Sequence, residues 1–181
     1  MQLSGLMNEV EVKILEINRK EVESKLKKLG AKKVYDGEIF AYYFDTSFDS
    51  LKKKNLILRL RQKDNCNELT LKQKVESNDM KINKEYEVLV NDFKIAKQIV
   101  EILGYKVINI FHKHRTSYKL NDARFEIDTP KDMKIPCFLE IESDNKKTVE
   151  KYIKLLGFRM NDALNYTYED VVNYYKKNKK S

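Results

Sequence analysis

The chain has 181 residues, 41% of them hydrophobic and 35% charged, with a formal net charge of +8. That length suits one packed domain, read here as residues 1–181 with a core over about 7–175 and a basic tail over 176–181. No apolar run approaches the ~18 residues of a membrane span, and the chain does not open on a secretory signal pattern, so no membrane partner and a cytoplasmic location are expected.

Cys66 and Cys137 stand far apart, without a CxxC or a Cys/His cluster, which argues against zinc and against a disulfide framework. With 5 Gly and 2 Pro, the chain also lacks both familiar Gly-rich phosphate cradles, GxGxxG and GxxxxGK[ST]. The positive charge favours anionic partners in general, and any phosphate must be held by side chains.

In chain order, Glu9-Val10-Glu11 opens a strand, and an amphipathic helix follows from about Asn18 to Leu29, closed by Gly30. Period-two alternation marks strands over Lys33 to Thr46, Leu56 to Lys63 and Glu68 to Val75, with a further strand around Glu85-Tyr86-Glu87. A second helix follows Asp92 and ends at Leu103-Gly104; strands over Ile108 to Leu120 and Arg124 to Thr129 come next, then one carrying Glu140-Ile141-Glu142. A third helix follows Asp144 and ends at Leu156-Gly157, and a fourth begins at Thr167, where Thr167 and Asp170 have capping-box spacing. Asn18, Asp92 and Asp144 are the expected N-caps. The three Glu-x-Glu strands, each followed by a helix ending in Leu-Gly, form a weak internal repeat. Turns such as Asn121-Asp122 favour antiparallel pairing. The expected fold is α+β, with a closed or strongly curled antiparallel sheet.

A strand places residues i and i+2 on one side. Glu9, Glu11 and Lys13 therefore share a face opposite Val10, Val12 and Ile14, which should pack against the helices. The same segregation recurs in Arg59 and Arg61, in Lys72 and Lys74, in Lys113 and Arg115, in Glu126 and Asp128, and in Glu140 and Glu142. For one strand this is the solvated face of a sheet, but here whole strands carry one sign. If the charged face turns inward, it lines a channel with both signs, and such burial is costly without a ligand. Clustered carboxylates suit Mg²⁺ or Mn²⁺, and clustered Arg and Lys suit phosphate oxygens. His112 and His114 fall on the opposite face from Lys113 and Arg115 and read as structural. Tyr42, Tyr43 and Phe44 read as core aromatics rather than as a nucleic-acid stacking platform.

Glu9-Val10-Glu11-Val12-Lys13 is similar to the ExExK signature of the CYTH domain, the triphosphate tunnel metalloenzymes. Tyr43-Phe44-Asp45-Thr46, Leu58-Arg59-Leu60-Arg61, Leu69-Thr70-Leu71-Lys72, Glu85-Tyr86-Glu87, Lys113-His114-Arg115, Glu126-Ile127-Asp128 and Phe138-Leu139-Glu140-Ile141-Glu142 follow in the family's order. One departure is Ile135-Pro136, where the family commonly has Gly.

The resemblance implies an eight-stranded antiparallel tunnel with helices packed outside. It implies Lys13, Arg59, Arg61, Lys72, Lys113 and Arg115 as phosphate ligands, and Glu9, Glu11, Asp128, Glu140 and Glu142 as the metal and water side, with Mg²⁺ or Mn²⁺ as cofactor. Glu9, Glu11, Lys13 and Glu140 are the expected catalytic set. Glu85, Glu87, Glu126 and Lys74 are further candidates. The leading expectation is a metal-dependent hydrolase of a small triphosphate, either inorganic triphosphate, thiamine triphosphate or a nucleoside triphosphate. The alternatives are an adenylyl cyclase of class IV and a non-catalytic module binding polyphosphate or nucleic acid, with nucleic acid the least favoured partner. Monomer and homodimer both stay open.

Overall fold

The structure is a computed structural model, and it describes residues 7–75, 81–131 and 134–178. Of the basic tail, residues 179–181 lie outside this range. Eight strands form a closed barrel: β1 (Met7–Ile14), β2 (Lys32–Asp45), β3 (Leu56–Lys63), β4 (Cys66–Val75), β5 (Lys81–Val90), β6 (Lys106–Leu120), β7 (Ala123–Pro130) and β8 (Phe138–Ser143). Around the wall they run β1-β5-β4-β3-β2-β6-β7-β8, every neighbour antiparallel, and β1 closes the ring by pairing with both β5 and β8. The expected α+β barrel is the observed fold.

Among the described residues four α-helices accompany it: α1 (Arg19–Lys28), α2 (Phe93–Ile102), α3 (Lys146–Leu155) and α4 (Tyr168–Asn178). Asn18 and Asp92 cap α1 and α2 as expected, each side chain accepting a backbone N–H three residues on. Asp144 does not cap α3. Asn145 does, accepting the Lys147 N–H at 2.8 Å, because the helix starts one residue later than the spacing suggested. At α4 the Thr167 hydroxyl accepts the Asp170 N–H at 3.1 Å and the Asp170 carboxylate accepts the Thr167 N–H at 2.8 Å, the reciprocal capping box. The Leu-Gly stops are left-handed turns. Gly30 and Gly104 take φ of 86° and 95°, and the residue after each donates back into the helix, Ala31 to Leu26 and Tyr105 to Val100.

The hydrophobic core lies outside the barrel. Val10, Val12 and Ile14 of β1 join Phe125, Ile127, Leu139 and Ile141 of β7 and β8 beneath Val22 and Leu26 of α1, Val149 and Ile153 of α3 and Leu156 at its C-cap. A second layer sets Ala96 and Val100 of α2 on Phe44 and Leu60. The apolar face of each strand is thereby buried under helices, and strand alternation sends the charged face to the barrel interior. α4 lies at the end where β8 begins. Its Val171, Val172 and Tyr175 pack on Phe138 and on Ile135. No helix among the described residues is long and apolar enough to cross a membrane.

Candidate active site

Of the residues singled out from the sequence, all but Asp128 line a single cavity of about 740 Å³ inside the barrel. Glu85 and Glu87 both point inward, and Lys74, matched by parity, is also in the wall. His112 and His114 lie opposite, against Glu38 and Asp36 of β2 on the outer surface.

The interior charges interlock. Lys13 Nζ sits 3.2 Å from Glu11 and 3.0 Å from Glu140, with its side chain 3% exposed. Burial pulls its ammonium pKa down, but Glu11 and Glu140 overcome that pull and hold it above the ordinary lysine value, so Lys13 is a fixed positive charge. Lys72 Nζ donates to Glu9 at 2.9 Å and also pairs with Glu85. Arg61 pairs with Glu68 of β4. Glu68 is an inward acid on a strand read from the sequence as basic; its parity with Lys72 and Lys74 carried the signal. Arg59 lies between Thr70, to which it donates at 3.3 Å, and Glu87 at 3.8 Å, and its buried Nε–H has no hydrogen-bond partner among the described residues. Burial counts against a cation there, yet neighbouring Tyr43, Glu85 and Glu87 hold the guanidinium above its ordinary value.

Arg115 is the hub of the β6–β7 side. It donates to both oxygens of Asp128, at 2.6 and 2.7 Å, pairs with Glu126, and stands 3.5 Å from Glu140. Lys113 donates to the same Asp128 at 2.6 Å. Burial and the adjacent Arg115 push the Lys113 ammonium down to about 8. Asp128 is fully buried behind these two cations, which hold its carboxyl below the ordinary value against the opposing effect of burial.

Among the described residues, two groups of carboxylates have oxygens within 4.8 Å of one another, Glu9 with Glu11 and Glu142, and Glu126 with Glu140 and Glu142. Asp128, expected on the metal side, belongs to neither. Glu142 is common to both, and burial together with Glu9 and Glu140 pushes its carboxyl up to about 8. Burial and a hydrogen bond with Glu9 push Glu85 up to about 7. Like charges crowded in a poorly solvated wall hold protons that a divalent cation would displace. The donor set is all carboxylate oxygen, which fits a hard cation such as Mg²⁺ or Mn²⁺.

Further wall residues escaped the sequence reading, Tyr43 and Tyr168 among them. Tyr43, read as a core aromatic, turns into the cavity, where its ring meets Phe111 at 5.0 Å between centroids. Phe44 beside it packs with Leu60, Ala96 and Val100 as a core aromatic, as expected, and also borders the cavity. Tyr168 of α4 closes over the same region, 4.3 Å from Phe111 and under the Lys113 ammonium.

A model of the CYTH domain matches residues 7–165. The chain belongs to the CYTH domain family. A Methanocaldococcus jannaschii protein provisionally named an adenylate cyclase is 28% identical over 175 residues, covering 92% of this chain and 94% of that one. The structure of the PH1012 protein from Pyrococcus horikoshii superposes with a TM-score of 0.76 at 27% identity, covering 88% of this chain and 96% of that one. A Hippeastrum protein named as an adenylyl cyclase candidate, whose structure is described as revealing a dominant triphosphatase activity, shares the fold with a TM-score of 0.64 at 15% identity, over 93% of this chain and 96% of that one. The CYTH barrel thus accounts for nearly all of the described chain.

Proposed function

We propose that this protein is a divalent-metal-dependent hydrolase of a small triphosphate, acting inside the barrel. The observation that carries the reading is Arg59, a residue only 9% exposed whose Nε–H has no hydrogen-bond partner among the described residues, facing the carboxylates of β1 and β8 across one cavity. A buried cation with a spare donor calls for an anion, and a buried carboxylate group calls for a cation. A metal-bound triphosphate supplies both.

Glu9, Glu11 and Glu142 would hold the ion, with Glu140 and Glu126 beside it. Bound there, the metal would offset phosphate charge and acidify a water. Arg59, Arg61, Lys72, Lys113 and Arg115 would bind the phosphate oxygens and spread the negative charge that moves toward the leaving group. Lys13 keeps its proton and fixes Glu11 and Glu140 in place. The reaction forms a bond from water oxygen to the terminal phosphorus and breaks the bond from that phosphorus to its bridging oxygen. The water proton leaves toward the carboxylate wall.

Adenylyl cyclase is the second reading, favoured by the name of the Methanocaldococcus relative and by a cavity of about 740 Å³, ample for a nucleoside beside the phosphates. There the ribose 3′-oxygen attacks the α-phosphorus and diphosphate leaves. The Hippeastrum protein carries a cyclase name beside a dominant triphosphatase activity, so a cyclase name does not by itself decide between the two readings.

The test measures phosphate release from inorganic triphosphate, thiamine triphosphate and ATP with Mg²⁺ or Mn²⁺, with cyclic AMP quantified in the ATP samples. Chelator-sensitive release that Glu11→Ala and Arg59→Ala each reduce about 10²- to 10³-fold is the expected result. Cyclic AMP in place of phosphate would establish the second reading. Turnover retained in both variants would overturn the active-site assignment.

A further inference from the structure

The helices cover the barrel unevenly. α1 and α3 lie over β1, β7 and β8, and α2 lies over β2 and β3. The middle of β5 has no such cover among the described residues. Glu85 and Glu87 point into the barrel, so Tyr86 and Val88 point out, and they are 47% and 56% exposed. Strand register places this strip beside α2. Val88 stands across from Leu69 of β4, and Leu69 across from Leu60 of β3, on which Ala96 and Val100 of α2 pack.

α2 is itself apolar beyond the face it buries. Phe93 stacks on Tyr42 of β2 and the Lys97 ammonium lies over the same ring, which turns that flank of the helix toward β2. At 3.6 residues per turn, Ile95, Ile99 and Ile102 then project from the opposite flank, toward β4 and β5. Ile102 is 85% exposed, Leu103 at the C-cap 70%, and Ile95 and Ile99 51% and 54%.

Six large apolar side chains thus form one uncovered surface, a convex helix flank beside a shallow strip of sheet. Together they present on the order of 500 Å² of apolar surface, toward the top of the range for the largest patch of a monomer. Two copies joined through it would bury about 1,000 Å² from these side chains alone, which reaches the size of a specific interface before any polar rim is added. A two-fold interface requires a surface that is its own complement. A helix ridge beside an apolar strip meets that requirement, because the ridge of each copy lies on the strip of the other.

We propose that the protein forms a two-fold homodimer in which α2 of each copy packs on the outer face of β5 of the other. None of the six residues lines the cavity, so the dimer forms without occupying the candidate active site.

The test is sedimentation equilibrium of the full chain from about 1 to about 100 µM, the range in which a small interface associates. The expected result is twice the mass of one chain at the upper end. The net charge of +8 opposes association of like copies, so high salt should lower the concentration required. Ile99→Lys and Val88→Glu are each expected to weaken the dimer at least about tenfold, since each buries a charge at the contact. Phe48→Ser removes an aromatic that is 79% exposed outside this surface and should leave association unchanged. Mixed in equal amounts, the Ile99→Lys and Val88→Glu proteins are expected to form a heterodimer, in which the introduced ammonium meets the introduced carboxylate and the other half of the interface is wild type. That recovery also shows that both variants fold. A mixture that stays monomeric overturns the pairing of α2 with β5. A wild type that stays monomeric at about 100 µM in high salt overturns the dimer, and if that monomer sediments with neutral phosphatidylcholine vesicles the surface belongs to lipid instead. A dimer left equally tight by both substitutions overturns the proposal too, because its interface then lies elsewhere.

Discussion

Arg115 clamps Asp128 with two parallel hydrogen bonds, Nε to Oδ1 at 2.6 Å and Nη2 to Oδ2 at 2.7 Å, while Lys113 holds Oδ2 from the side. The carboxylate sits below the cations it aims rather than in a group that could share an ion. Asp128→Asn would leave Arg115 and Lys113 short of a countercharge in a buried wall, and a broken buried pair costs about 3–5 kcal/mol. Urea denaturation is expected to show a loss of that size. Mn²⁺ affinity, followed by electron paramagnetic resonance, should fall much less than in Glu9→Gln. A larger loss of Mn²⁺ in Asp128→Asn would restore Asp128 to the metal side.

The carboxylates make metal binding depend on pH. Glu142 is pushed up to about 8 by burial, Glu9 and Glu140, and Glu85 up to about 7 by burial and its bond with Glu9. Both folded values exceed those of the unfolded chain, so the stability these groups contribute is full below the unfolded carboxyl range. It is lost as pH rises through about 7 and about 8. The ligand-free unfolding temperature is therefore expected to fall across that window, and Mg²⁺ to reverse the fall at its alkaline end. Binding of Mg²⁺ near neutral pH should release protons, detected as a calorimetric enthalpy that varies with the ionisation heat of the buffer. Glu142→Gln should abolish most of that variation. An enthalpy independent of buffer in the wild type would refute the assignment.

Much of this site was legible in the sequence because a strand has a period of two and the charges follow it. Once Glu9, Arg59, Lys113 and Glu140 fall on one parity and Val10, Leu60 and Leu139 on the other or under helices, which face is which needs no structure. The order of the motifs then closes the barrel by resemblance. What parity does not reveal is depth. Glu68 shares the inward face with residues that were singled out, but it was a lone acid on a basic strand. Tyr43 was misread because an aromatic between Tyr42 and Phe44 has the same composition whether it packs on a helix or faces a cavity. The placement of α4 over one end depends on contacts between Phe138, Phe111 and Tyr168, which are far apart in the chain and whose meeting no local pattern encodes.

Lys113 adds a second pH effect of opposite sign. Burial and Arg115 lower its ammonium to about 8, although Asp128 opposes the shift. In the ligand-free protein it therefore loses its charge as pH rises past that value, and with it one of the cations facing the phosphates. KM for the triphosphate is expected to rise on the alkaline side while kcat changes little. Lys113→Arg keeps the charge throughout and should flatten the rise. A wild-type KM constant from about pH 7 to about pH 9.5 would show that Lys113 does not bind substrate.

Asp45 organises one mouth of the barrel. Its carboxylate is 2% exposed and accepts the backbone N–H groups of Thr46, Leu51 and Lys52 at 2.7, 2.9 and 3.0 Å. Those bonds fold the segment between β2 and β3 so that Lys52 and Asn55 reach the cavity. They also hold the Asp45 carboxyl below its ordinary value despite burial, which acts the other way. Asp45→Ala leaves the Leu51 amide without its acceptor in a buried setting, at a cost of about 1–3 kcal/mol. Hydrogen exchange is expected to accelerate at Thr46, Leu51 and Lys52 while the amides of β1 and β8 stay protected. Triphosphate binding should weaken only in so far as Lys52 contributes, so Lys52→Ala alone should reproduce the binding defect without the change in exchange. If Asp45→Ala impairs binding and Lys52→Ala does not, the loop acts through another group at the mouth, and Asn55 is the residue to replace next.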